Sequence, residues 1–92
     1  MSSRSQPNFI IYSKEYCPYC DRAKALITQQ GWSYSEKRID LDPALYQEFQ
    51  HKTNQARTVP QIFYNEQLIG GFDQLYQLHT SGELARLINT ED

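Results

Sequence analysis

The chain holds two cysteines, and both fall within Tyr16-Cys17-Pro18-Tyr19-Cys20. Two intervening residues let the sulfurs meet across one helical turn, so the pair can close a small disulfide ring with little backbone movement. The segment stands between an apolar run, Phe9-Ile10-Ile11-Tyr12, and a stretch with helical spacing at Ala23, Leu26 and Ile27. A strand therefore runs into the cysteine pair and a helix leaves it. Pro18 suits the first helical position, where a missing N–H leaves no bond unmade. That context reads as a redox-active dithiol at a helix start.

Two plainer readings of the pair are weaker. A structural zinc site needs two further ligands, and the spacings of His51 and His79 from the cysteines match no finger or ribbon. A stapling disulfide across so short a loop would constrain the unfolded chain little, because that benefit grows with loop length.

Ninety-two residues, 39% of them hydrophobic, suit one small globular domain with one core. The net charge of −2 comes with no basic stripe, which argues against a general nucleic-acid binder. No apolar run reaches membrane-spanning length. The start, Met1 to Pro7, carries no apolar stretch and does not read as a secretory signal. A reducing, cytoplasmic setting is expected, and there a cysteine pair is catalytic more often than structural.

Further elements follow from local signals. Residues 9–13 read as a buried strand, and the helix from Pro18 runs to about Gln30 with Gly31 as its stop. Ser33 to Ile39 suits a short, charged edge strand. Asp42-Pro43 repeats the helix-start chemistry, with Leu45, Tyr46 and Phe49 as the apolar stripe of that helix. Val59 to Tyr64 is a strand opening at a proline, and Asn65-Glu66 turns it back into Gln67 to Gly70. Asp73 caps a helix with Leu75 and Leu78 inward. Ser81-Gly82 interrupts it, and Leu84, Leu87 and Ile88 form a last helix. The order is β-α-β-α-β-β-α, an α/β fold with a mixed four-stranded sheet flanked by helices and the last helix in two pieces. His51 and His79 sit at helix ends as solvated residues, and Tyr46 and Tyr76 read as core or half-buried.

Three separated segments now point to one family. Lys14-Glu15-Tyr16-Cys17-Pro18-Tyr19-Cys20, Arg57-Thr58-Val59-Pro60-Gln61-Ile62-Phe63 and Gly70-Gly71-Phe72-Asp73 together closely resemble the dithiol glutaredoxins of CPYC type. The resemblance in element order covers Phe9 to Ile88. It implies the thioredoxin/glutaredoxin fold over a single domain, 1–92, with residues 1–7 as a flexible tail. It also implies reduction of protein disulfides and of protein–glutathione mixed disulfides, with glutathione as electron donor and no metal. The chain is expected to act as a monomer.

The chemistry of the residues agrees with that implication. Cys17 at the helix start meets free N–H groups and the positive dipole end, which favour a thiolate. That effect, roughly 0.3–2 kcal/mol, moves a thiol pKa by about one unit, so direct hydrogen bonds or a cation must supply the rest. Lys14 is the nearest cation in sequence. Cys20, one turn inside the helix, is the resolving sulfur.

The remaining roles come from the resemblance. It implies that the Val59–Pro60 bond is cis and that the backbone around Thr58, Val59 and Pro60 pairs with the cysteine of glutathione like an added strand. From the residues alone an ordinary edge-strand proline is the preferred reading. Gly71 would let the ligand approach, while Phe72 and Asp73 would hold its γ-glutamyl end at a helix N-terminus. Lys14 and Arg57, with a weaker contribution from Gln47, would meet the glycine carboxylate. Tyr19 would shield the sulfur and pack on the ligand.

Rival classes stay in view. Glutaredoxin-like donors reduced by thioredoxin reductase share the fold but lack the paired cations Lys14 and Arg57. Members that share an iron–sulfur cluster usually carry Gly or Ser after the first cysteine, where this chain has Pro18. A docking module without chemistry would have no need of both cysteines.

Overall fold

The computed structural model describes residues 8–89, so the expectation for a flexible tail at 1–7 lies outside the described residues. Eight elements follow in order: β1 (Phe9–Ser13), α1 (Pro18–Gln29), β2 (Tyr34–Arg38), α2 (Pro43–Lys52), β3 (Gln61–Tyr64), β4 (Gln67–Gly70), α3 (Phe72–Ser81) and α4 (Glu83–Asn89). The four-stranded sheet has the order β2-β1-β3-β4. β1 pairs parallel with β2 and antiparallel with β3, which pairs antiparallel with β4.

Because β1 is central and covered on both faces, it reads as an unbroken apolar run rather than an alternating one. Phe9 and Ile11 enter one core with Ala23, Ile27, Leu75 and Leu84, beneath α1, α3 and α4. Tyr12 enters the other with Phe49 and Phe63, beneath α2, and Ile10 packs against it. The period of two along β3 repeats this division: Ile62 and Tyr64 face the first core, Phe63 the second.

Polar links join the layers. The Tyr12 hydroxyl and the Lys37 ammonium both donate to one Glu48 oxygen, tying β1 and β2 to α2. Burial first, and the Glu48 carboxylate second, push the Tyr12 hydroxyl pKa up, so it stays a donor. On the opposite side Ser13, fully buried, donates to Glu36, which also receives Lys24 at 2.8 Å. Burial opposes charge on Glu36, yet the hydrogen bonds from Lys24 and Ser13 leave its pKa below the ordinary value. The end of β1, from which the cysteine loop departs, is thus pinned from both faces of the sheet.

Most boundaries match the local signals; two differ, and so does the burial of several side chains. The strand expected from Val59 starts at Gln61, because Pro60 has no N–H to offer and Val59 turns out of the ladder. The cap of α3 is Gly71, not Asp73, whose place is in the first turn. The Gln74 side chain accepts from the Gly71 N–H at 2.9 Å, the back half of a capping box. On α2 only Phe49 of the expected stripe is fully buried, and Tyr46 stays 48% exposed. Tyr76 is likewise 50% exposed rather than core, and His79 is half-buried instead of solvated. Elsewhere the turn residues Asn65 and Glu66 both carry positive φ, 49° and 68°, as a type I′ hairpin requires. Gly82, at φ +84°, ends α3 in the left-handed region and starts α4, so the last helix is in two pieces.

Candidate active site

β1 delivers the chain to residues 14–17, and this short approach is strained just before the cysteine. Tyr16 holds φ at 58°, a left-handed value that a tyrosine rarely adopts, and its ring is 90% exposed. Asp40, beyond the end of β2, braces the approach: its carboxylate accepts from the Glu15 N–H at 3.1 Å. Arg38 grips the same carboxylate with Nε at 2.7 Å and Nη2 at 2.6 Å. These hydrogen bonds from Arg38 hold Asp40 well below the usual carboxylate range, so it stays ionised. Asp40 escaped the sequence reading. Its contact with Glu15 spans 25 positions, and the only local hint is the Arg38-x-Asp40 spacing at a strand end.

Cys17 is the N-cap of α1, and its sulfur accepts the Cys20 N–H at 3.1 Å. Cys17 and Cys20 are disulfide-bonded, with their Cα atoms 5.2 Å apart. Cys17 is 9% exposed and Cys20 1%, so the first cysteine is the more accessible of the two. In the reduced protein the same N–H, with the positive end of α1, would stabilise a thiolate on Cys17 directly.

The Val59 carbonyl oxygen lies 3.7 Å from Cys17 Sγ, and the Val59–Pro60 bond is cis, as the resemblance implies. Two open hollows meet along this line and share Thr58 and Val59. One, of about 680 Å³, is lined by Lys14, Asp40, Tyr46, Gln50 and Arg57. The other, of about 700 Å³, is lined by Tyr19, Pro60, Gly71, Phe72 and Asp73. Lys14 and Arg57 thus lie on one side of Val59, and the N-terminus of α3 on the other.

Each side has its own support. The loop carrying Arg57 is held by the Thr53 hydroxyl, which accepts from the Ala56 N–H at 3.0 Å, and by Gln50 Nε2, which donates to the Ala56 carbonyl at 2.8 Å. On the other side Gly70, at φ +123°, turns β4 sharply into α3, and a Cβ there would come within 3.1 Å of Gln74. Phe72 and Asp73 line this hollow from the first turn of α3, where N–H groups have no intrahelical acceptors. Tyr19 extends from α1 over this side, its ring 6.0 Å from that of Phe72.

The structure places Lys14 and Arg57 along one hollow and Tyr19, Pro60, Gly71, Phe72 and Asp73 along the other, with Thr58 and Val59 shared and Val59 beside Cys17. Gln47 is not among the lining residues. The face of α2 that meets the hollow carries Tyr46, Phe49 and Gln50, and Gln47 lies about 100° round the helix from Tyr46. Among the described residues, no cluster of three or more His, Cys, Asp and Glu side chains could hold a metal ion. Nor is any described helix long and apolar enough to cross a membrane.

A mixed sheet with a dithiol at the N-terminus of its first helix, beside a cis-proline loop, defines a thiol–disulfide oxidoreductase of the thioredoxin/glutaredoxin fold. Comparison with known proteins narrows the class. A family model described as Glutaredoxin matches residues 9–69. Glutaredoxin 3 of Escherichia coli strain K12 is 47% identical over 81 residues, spanning 88% of this chain and 96% of that protein. The solution structure of glutaredoxin from Brucella melitensis superposes with a TM-score of 0.79 at 37% identity, covering 99% of this chain and 98% of that one. A crystal structure of a buckwheat glutaredoxin–glutathione complex gives a TM-score of 0.78 at 32% identity, over 91% of this chain and 78% of that one. The chain belongs to the glutaredoxin family and is a glutathione-dependent thiol–disulfide oxidoreductase.

Proposed function

We propose that the chain reduces protein–glutathione mixed disulfides and protein disulfides, with Cys17 as the attacking sulfur and Cys20 as the resolving one. The observation that carries this reading is the position of the Cys17 sulfur beside Val59, where the cationic hollow and the α3 N-terminus meet. Glutathione has a carboxylate at each end and a sulfur between them, and the site offers complementary groups in that order. Lys14 and Arg57 take the glycine carboxylate. Backbone around Thr58, Val59 and Pro60 takes the central cysteine as an added strand. Gly71 allows close approach, Phe72 and Asp73 bind the γ-glutamyl carboxylate through backbone N–H groups, and the Asp73 carboxylate takes the ammonium. Tyr19 covers the ligand beside the sulfur. The buckwheat glutaredoxin–glutathione complex, similar in fold, supports glutathione as the ligand.

The reaction then balances in two exchanges. The Cys17 thiolate attacks the glutathione-side sulfur of a mixed disulfide, the protein thiolate leaves and takes up a proton, and Cys17 carries glutathione. A second glutathione, as thiolate, attacks that glutathione sulfur, releasing oxidised glutathione and the Cys17 thiolate. With a protein disulfide, Cys17 forms a mixed disulfide with the substrate, and Cys20 attacks Cys17 Sγ to expel the second substrate thiol. The product is the Cys17–Cys20 bond seen here, which two glutathiones reduce. The reading requires no metal ion, takes the chain as a monomer and sets its work in a reducing, cytoplasmic compartment.

Turnover of a small mixed disulfide, glutathione joined to cysteamine, tests this with glutathione, glutathione reductase and NADPH. Saturable NADPH oxidation that depends on both the chain and glutathione is the expected result. Reduction by thioredoxin reductase with no response to glutathione would move the chain to the other class of donor.

A further inference from the structure

Beyond the hollow at the α3 N-terminus, an aromatic stack continues away from the cysteines. The Tyr19 ring lies 6.0 Å from Phe72, Phe72 stacks on Tyr76 at 5.7 Å and 26°, and His79 follows at 6.5 Å. Phe72, Tyr76 and His79 share one face of α3 by their spacing of four and three residues. Tyr19 and Tyr76 are 52% and 50% exposed, and Tyr76 belongs to neither core. The proposed glutathione site uses Tyr19 and Phe72 and ends at the first turn of α3. Tyr76 lies one turn further on, with no part in it. Contiguous exposed aromatic surface of this kind marks an interaction site, since such rings are enriched at the buried centres of interfaces.

We propose that Tyr19, Phe72 and Tyr76 form a docking surface for the polypeptide around a substrate protein's target cysteine, favouring segments with apolar side chains close to that cysteine. The inference rests on the reading of Cys17 as the attacking sulfur. A protein that brings its sulfur to Cys17 must lay neighbouring residues over the rim of the site. Towards Lys14, Asp40 and Arg57 that rim is charged and belongs to the glutathione carboxylate. Towards α3 it is aromatic and begins at Tyr19, between the two cysteines. The two ring-to-ring steps put Tyr76 at most about 12 Å from Tyr19, a span of three to four extended residues. A tripeptide anchored at the α3 N-terminus does not extend over Tyr76, whereas a protein chain does. Tyr76 is therefore a specificity determinant for protein substrates alone.

The test uses the full chain and two glutathionylated peptides of about ten residues, each with one cysteine. One carries Leu and Phe at the third and fourth positions on both sides of the cysteine, and the other carries Ser there. Wild type is expected to favour the apolar peptide about fivefold in kcat/KM, mainly through KM, the scale of one aromatic contact. Tyr76→Ser should reduce that preference below about twofold and Tyr76→Phe should retain it. All three proteins should turn over the glutathione–cysteamine disulfide alike. Equal handling of the two peptides by wild type, a comparison that needs no variant, would overturn the proposal. So would an undiminished preference in Tyr76→Ser. Self-association that Tyr76→Ser abolishes, with the peptides handled alike, would make a second copy the occupant and overturn it too. Failure of wild type on the small disulfide would instead strike the reading of Cys17 and, with it, this inference.

Discussion

Cys17→Ser is expected to reduce turnover to the background of glutathione itself, a loss on the order of 10³-fold or more for removal of an activated nucleophile. Cys20→Ser is expected to behave differently on two kinds of substrate. Cys20 is 1% exposed, and its N–H, which a serine keeps, is the group that contacts Cys17 Sγ. A glutathionylated protein needs only one attacking sulfur, so its reduction should stay within about threefold of wild type. A protein disulfide needs the resolving thiol as well, and its reduction should fall about tenfold or more. Parallel NADPH-coupled assays on glutathionylated albumin and on insulin separate the two. Activity in Cys17→Ser, or alkylation that labels Cys20 first in the reduced protein, would reverse the assignment of roles.

Removal of both cations, Lys14→Ala with Arg57→Ala, is the second large effect. Both side chains are exposed, and an exposed ionic contact contributes roughly 0.2–1 kcal/mol, so each single change should raise the KM for glutathione up to about fivefold. Together they should raise it up to about thirtyfold, with kcat at saturating glutathione little changed. Asp40 lines the same hollow and remains ionised, so it offsets part of the positive potential and keeps each single effect graded. Added salt should shrink the difference between wild type and the double variant, because it screens exposed charges. A fall in kcat with KM unchanged would place these lysine and arginine charges on the reacting sulfur instead.

The parts of the molecule that were legible from residues are those whose causes act within one turn. Pro18 and Pro43 at first helical positions, Asp42 accepting from the Ala44 N–H at 2.9 Å, and the Asn65-Glu66 turn all declare themselves in a few neighbouring residues. The unbroken apolar run of β1 was legible for the same reason, since burial on both faces removes the alternation. Asp73 misled because an acidic residue near a helix start resembles a cap, whereas here Gln74 reaches back to Gly71 and moves the start forward. Tyr46 and Tyr76 misled because an aromatic at helical spacing looks like core, and only the packed structure shows that their rings remain outside. Within the site, the motif residues were legible, but the bracing by Asp40, Thr53 and Gln50 was not. Those contacts join segments far apart in sequence or depend on a loop with Asn54 and Gln55 at positive φ, 58° and 68°.

One glutathione is expected to lie across Cys17, from Lys14 and Arg57 to the N-terminus of α3. The most direct measurement is the structure of the Cys20→Ser chain with glutathione disulfide-bonded to it, checked in solution by amide shifts. The expected result is the bond on Cys17, the peptide's cysteine paired with Val59 backbone, and its two ends at the cationic rim and at the Phe72 and Asp73 N–H groups. Glutathione bonded to Cys17 but directed away from Val59, with the Arg57 and Phe72 amides unperturbed, would contradict it.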